Sequence, residues 1–219
     1  MEKSNAIDMD KRELLYKEMK GIIDDLQHHW KEKTEKEVQE LCKKMGKIAR
    51  GENAWYRADA LSNPNLPQEL LRIGDAFNNN LIILRDIIIS IDEMNTRYGL
   101  IISDDIFLFL LKYISNKKVA FFIAAFITTV PQFKNYENKW DYILSIPNMT
   151  PKKDSIDIFR RIINKVLAKV PETLAILTKI PETLKNDVIK VFQDYLDKNP
   201  DLHQYTKEEY EEIIKKLKQ

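Results

Sequence analysis

Glycine is scarce in this 219-residue chain, with five residues in all, and that scarcity removes several classes of chemistry. Phosphate-cradling loops, dinucleotide fingerprints and serine nucleophile elbows need clustered glycines where the backbone approaches a ligand or turns sharply. Five scattered glycines build none of them. Cysteine occurs once, at Cys42, so there is no internal disulfide, and no Cys or His pairs stand at zinc-ligand spacing. No apolar run reaches the roughly 20 residues that a bilayer crossing requires. Leu81 to Ile91 is interrupted by Arg85 and Asp86, and Val119 to Val130 holds 12 residues. The opening MEKSNAIDMDKRELL lacks the apolar stretch of a secretory leader. The expectation is a cytoplasmic protein without a membrane span.

The chain does have a large apolar fraction, 44%, rich in Ile, Phe and Tyr, which argues against wholesale disorder. The Ile, Asn and Lys richness fits A/T-rich coding DNA, as in a low-GC genome. Helical periodicity predominates, and the fold expected is all-α: a multi-helix bundle with a long N-terminal amphipathic helix followed by shorter Pro-punctuated helices. The stripe Leu15, Met19, Ile22, Leu26, Trp30, Thr34, Val38, Leu41, Met45, Ile48 predicts one helix from about Asp10 to Arg50. At 1.5 Å per residue it would be about 60 Å long, so it overhangs, breaks near Gly21 or Gly46, or pairs with another chain.

Residues 51–66 read as a connector, because Gly and Pro cluster there. A helix capped by Asn65, with Gln68 reaching back, runs to Tyr98, where Gly99 closes it. Ser103 caps the next helix, about Asp104 to Tyr113, and a strongly apolar one ends before Pro131. Then come Gln132 to Leu144, Pro151 to Lys169 after a Thr150 cap, Pro171 to Lys179 and Pro181 to Asp197. The last helix opens at the capping box Thr206–Glu209. The pair Val170-Pro-Glu-Thr-Leu174 and Ile180-Pro-Glu-Thr-Leu184 duplicates a helix start. A single helical domain over 1–219 is expected, divisible into the N-terminal helix 1–50, the connector 51–66, a core bundle 67–199 and a C-terminal helix 200–219.

Candidate chemistry is thin. Asp25 and His28 share a helix face, but a di-iron bundle needs that pairing twice with further carboxylates, and His203, the only histidine outside the His28-His29 pair, has no such partner. Asp104-Asp105 resembles the start of the aspartate-rich magnesium motif of isoprenoid-processing helical enzymes. The third aspartate is replaced by Leu108, so helix capping is the simpler reading. Glu32/Glu35 and Glu37/Glu40 have the spacing of magnesium-binding carboxylates in all-α nucleotide pyrophosphatases, yet the later acidic pair is missing and a Lys-rich helix carries such pairs as charge patterning. Cys42, beside the apolar stripe with no flanking histidine, reads as a small core hydrophobe. Trp140 reads as core. No catalytic residue, metal or cofactor is assigned, and the enzyme reading leans to no.

Charge is more informative. Residues 1–50, 51–110, 111–190 and 191–219 carry nets of +1, −5, +7 and −2, and no lysine occurs between Lys47 and Lys112. Lys117, Lys118, Lys152, Lys153, Arg160 and Arg161 form a candidate anion-binding set, unless the fold compensates them internally. Trp55, Tyr56 and Arg57, residue types enriched in binding hot spots, are the candidate partner-binding residues. The expected function is therefore a protein-interaction module, acting as an adaptor, inhibitor or assembly subunit. Its partner is another protein, or a second copy met through the N-terminal helix. Nucleic-acid or phosphate binding by 111–190 is the alternative, and a magnesium-dependent nucleotide hydrolase using Glu35, Glu37 or Glu40 comes third.

Overall fold

The computed structural model describes residues 2–51, 55–168 and 179–219, with the side chains of 12–51, 57–168 and 179–219. Among these residues there are eleven α-helices and no strand, so the chain is an all-α, multi-helix protein. No described helix is long and apolar enough to cross a membrane. The internal contacts form two compact units, Met1–Phe126 and Ile127–Gln219.

In the first unit, α1 spans Glu2–Asp24, and the apolar stripe does not continue as one helix. A π-helical turn over Asp25–His29 and a 3-10 turn over Trp30–Glu32 lead to Lys33, which is extended, and α2 starts afresh at Glu35–Arg50. The break lies at neither glycine named from the sequence. Its cause is a capping box: the Thr34 hydroxyl accepts from the Glu37 amide and the Glu37 carboxylate accepts from the Thr34 amide at 2.8 Å. These bonds satisfy helix-start donors that a continuous helix would not have exposed. Thr34 is exposed, whereas Leu26, Trp30 and Val38 on either side are buried. The long helix thus becomes two shorter ones in contact with each other, and Trp30 packs edge-on against Phe77, with ring centroids 6.1 Å apart.

The connector is partly helical. α3 spans Trp55–Leu61, and 52–54 lie outside the described residues. The following helix is also divided: α4 covers Asn65–Ala76 and α5 covers Leu81–Tyr98. Asn65 is inside α4 rather than its cap, and its amide donates to Asn63 Oδ1 at 2.9 Å. Gln68, expected to reach back, instead donates to Ser103 Oγ at 3.4 Å. Asn80 makes the division at 77–80, because its Oδ1 accepts from the amides of Ile82 and Ile83, both at 3.1 Å. Its Nδ2 donates to Glu35 at 2.7 Å and to Gln39 at 3.2 Å, so one side chain starts α5 and ties it to the first turn of α2. Gly99, at φ 70, closes α5 as expected. Ser103 caps α6, Asp104–Tyr113, and α7 spans Ala120–Ile127.

The core of this unit is the packing of α2 along α5. Val38, Leu41, Cys42, Met45 and Ala49 meet a face of α5 that includes Ile83, Leu84, Ile87, Ile88, Ile91 and Met94. Gly46 lies in this contact, where a Cβ would stand at ordinary contact distance, 3.5 Å from Ser90 Oγ and 3.7 Å from the Asp86 carbonyl. Gly74 is where a glycine matters for packing, since it lets the Phe109 ring of α6 lie against α4, with Cζ 2.6 Å from where a Cβ would be.

In the second unit, α8 spans Lys139–Ser145, α9 Lys152–Leu167, α10 Lys185–Lys198 and α11 Gln204–Lys218. The rings of Phe159, Phe192 and Tyr210, one from each of the last three helices, follow one another at 5.2 and 5.5 Å. Trp140 is half-buried. The expected helix 132–144 is a 3-10 turn, Pro131–Asn135, followed by α8. Thr150 does not cap α9, because Pro151 is itself extended and holds the cap position without a side-chain bond. α11 starts two residues before Thr206, capped by His203, whose Nδ1 accepts from the Tyr205 amide at 3.3 Å. The expected helix Pro171 to Lys179 and the first copy of the duplicated segment fall largely outside the described residues.

The double role of Asn80 gives a direct test. Asn80→Ala is expected to destabilise the protein by about 1–2 kcal/mol, the range for losing an N-cap. Asn79→Ala, at an exposed neighbour, should leave the urea midpoint nearly unchanged.

Candidate functional site

Trp55 and Tyr56 belong to the first turn of α3, not to an irregular loop, and their side chains lie outside the described ones. Arg57 is half-buried and donates from Nη1 to the carbonyl of Ile48 near the end of α2, at 3.4 Å. It sits where the helix dipole concentrates negative charge, so it has a structural task.

The six basic candidates are spread over both units. Lys117 and Lys118 are exposed in the turn between α6 and α7. Lys152 and Lys153 are exposed in the first turn of α9 and have no carboxylate partner among the described residues. The two arginines are compensated within the second unit. Arg160 pairs with Asp157 at 2.5 Å and with Glu209 of α11, while Arg161 pairs with Asp157 at 3.1 Å. Burial opposes the charge on Arg160, but the hydrogen bond to Asp157 and the Coulomb attraction of Asp157 and Glu209 outweigh it and raise its pKa.

The carboxylates considered for a hydrolase are likewise engaged. Glu37 is held below the ordinary carboxylate range by the Thr34 hydroxyl and amide, Glu35 accepts from Asn80 and Glu40 pairs with Lys43 at 3.4 Å. His28 and His29 are exposed, 3.9 and 3.7 Å from Asp24. Among the described residues no group of three or more His, Cys, Asp or Glu side chains converges as metal ligands would. Asp104 and Asp105 are exposed at the start of α6. Cys42 is completely buried, and burial, with the Asp86 charge, pushes its pKa up to about 12.

What does converge is a groove of about 630 Å³ in the first unit, between α1 and the α3 region. Lys17, Lys20, Gly21 and Asp24 line it from α1, with Ala60 and Asn63 opposite. Gly21 leaves open space, with nothing within 4 Å of where a Cβ would stand. Leu14 continues the same face, since 14, 17, 21 and 24 follow helical spacing, and it is 69% exposed. On the adjacent stripe Met19 is 2% exposed but Leu15, one turn earlier, is 41% exposed. The seam that buries α1 in its unit therefore runs on into solvent. The sequence carried one sign of this, because Leu14 lies off a stripe that already contains Leu15. Gly21 had been read only as a weak point in the helix. No protein family, no curated protein and no solved structure matches the chain.

The burial of Cys42 predicts that a disulfide reagent such as Ellman's will not titrate it in the folded protein at pH 8. One thiol per chain should appear on unfolding in denaturant, and rapid native labelling would contradict the buried assignment.

Proposed function

We propose that this protein is a non-enzymatic interaction module, an adaptor, inhibitor or assembly subunit, that binds another protein by taking a helix into the α1–α3 groove. The observation that carries this reading is the apolar continuation of α1: Leu14 and Leu15 stand in water beside a groove with an open glycine in its wall. Helix-in-groove recognition uses such a strip, with apolar anchors at helical spacing and small residues allowing close approach. Lys17, Lys20 and Asp24 give the rim both signs of charge, which favours orientation over bulk attraction. A second copy offering its own α1 is among the partners this surface suits, because a self-complementary patch forms closed dimers. Trp55 and Tyr56, on the helix that neighbours the groove, remain the aromatic anchors of this proposal.

The test uses Leu14→Asp and Gly21→Leu. The second fills the groove where space is open and replaces a poor helix former with a good one, so it should not lower stability. Full-length wild type and variants are used for capture from native lysate, in nuclease-treated and untreated halves, with sedimentation equilibrium alongside. The expected outcome is one stoichiometric protein, or self-association, that survives nuclease and is lost with both variants. Recovery unchanged by both variants overturns the reading.

One observation favours anion binding as a second reading: Lys152 and Lys153 have no carboxylate partner among the described residues and stand in the first turn of α9, which has no side-chain cap, and helix starts attract anions. Binding of a labelled single-stranded 20-mer that falls steeply with salt and is abolished by Lys152→Glu/Lys153→Glu would establish it. The interaction reading expects no such binding.

A further inference from the structure

The α1 face beside the groove carries its residues in an order that fits a copy of itself. α1 is one continuous helix, Glu2–Asp24, so positions 14, 17, 18, 21 and 24 share one side of it by helical spacing. Leu14, Lys17, Glu18, Gly21 and Asp24 are all exposed there. Met19, Ile22 and Ile23, on another side of the same helix, are buried. One side of α1 thus fixes the helix to its unit, and the other is presented to water on a rigid frame, where binding has little ordering cost.

The two ends of this face are complementary in shape. Leu14 projects into water, and seven residues further on, about 10.5 Å along the axis, Gly21 leaves open space with nothing within 4 Å of where a Cβ would stand. The middle is complementary in charge. Lys17 and Glu18 are adjacent and of opposite sign, and neither has an ion partner among the described residues. Lys20, by contrast, is engaged within its own helix, with its ammonium 4.7 Å from the centroid of the Tyr16 ring.

On the groove reading given above, we propose that the helix taken up is the α1 of a second copy of this chain, antiparallel to the first. Each Leu14 seats at the other copy's Gly21, and each Lys17 meets the other copy's Glu18. In a two-fold interface residue i meets j and j meets i, and an axis crossing midway between positions 17 and 18 makes both pairings at once. Leu14 then acts as a knob in the hole that the missing Gly21 side chain leaves. A shift of one turn in either direction sets Leu14 against Asp24, or against Lys17 and Glu18, and covers a charged group with an apolar one. Parallel pairing sets Lys17 against Lys17 and Glu18 against Glu18, where like charges repel. Of these arrangements the antiparallel one centred between 17 and 18 alone satisfies both the open glycine and the charges.

The experiment is sedimentation equilibrium of the full-length protein at low salt, up to about 100 µM, which reads dissociation constants through the micromolar range. The expected result is a reversible dimer that Leu14→Asp abolishes. Lys17→Glu and Glu18→Lys, each acting twice in a two-fold pair, should each weaken it about tenfold through like charges. An equimolar mixture of those two variants should recover wild-type affinity, because one copy then carries two carboxylates where the other carries two ammonium groups. Binding to a different protein gives no such recovery. All three substitutions are at exposed positions, and circular dichroism melting confirms the fold. A monomeric wild type, a dimer that persists in Leu14→Asp, or a mixture that stays as weak as its components overturns the proposal. If the wild type is monomeric while capture of another protein still depends on Leu14 and Gly21, the groove reading stands and the second copy falls. If that capture is lost as well, both fall.

Discussion

The first unit depends on the packing of α2 along α5. Val38, Leu41, Met45 and Ala49 on one side and Ile83, Ile87, Ile91 and Met94 on the other are buried there, as rows of side chains on packed helices are. Two polar groups lie in this contact. Ser90 Oγ donates to the Asp86 carbonyl at 2.6 Å, and Asp86 Oδ1 accepts from Arg85 at 2.8 and 2.9 Å, while Oδ2 is buried with no hydrogen-bond partner among the described residues. A buried carboxylate tolerated at such a place is costly unless paired. Arg85 supplies the pairing from the adjacent residue, with its own side chain reaching the surface.

Around that contact the helices are positioned by side chains that work at two places at once. Asn80 caps α5 and grips α2, Thr34 and Glu37 close the turn that returns α2 against α1, and Gln68 reaches from α4 to the serine that caps α6. In the second unit, Arg160 joins α9 to α11 through Glu209 beside the ring series of Phe159, Phe192 and Tyr210. The result is a frame in which Glu35, Glu37 and Glu40 are each engaged with a neighbouring side chain.

Much of this was legible in the sequence because it rests on local rules. The all-α class follows from periodicity and few glycines, the end of α5 from a glycine able to adopt a left-handed conformation, and the start of α6 from serine followed by two aspartates. The sequence placed a possible break of the first helix only at Gly21 or Gly46 and none between Phe77 and Leu81, and the reason is physical. Thr34 fell in register with the apolar stripe, and periodicity took precedence over its capping box. Asn80 stood in a run of asparagines, with a continuous stripe through Phe77 and Leu81. Hydrophobic spacing continues across a helix break when both halves face the same core, so spacing alone does not detect the break. The displacement of the α11 cap from Thr206 to His203 is of the same kind, since two starts lay within three residues and the histidine nitrogen is the acceptor used. The groove was less legible still, because it depends on where α3 crosses α1, and no local pattern encodes that crossing.

The absence of lysine between Lys47 and Lys112 has a consequence outside binding. The segment from α3 through most of α6 presents no primary amine to solvent, and the single ammonium at its end is held by Asp75. Enzymatic acylation and amine-directed labelling of lysines alike must therefore act before residue 48 or from Lys112 onward. A lysyl-specific protease would release residues 48–112 as one uncut piece. Every positive side-chain charge from residue 48 to residue 111 is a guanidinium, which keeps its charge at any pH the folded protein meets.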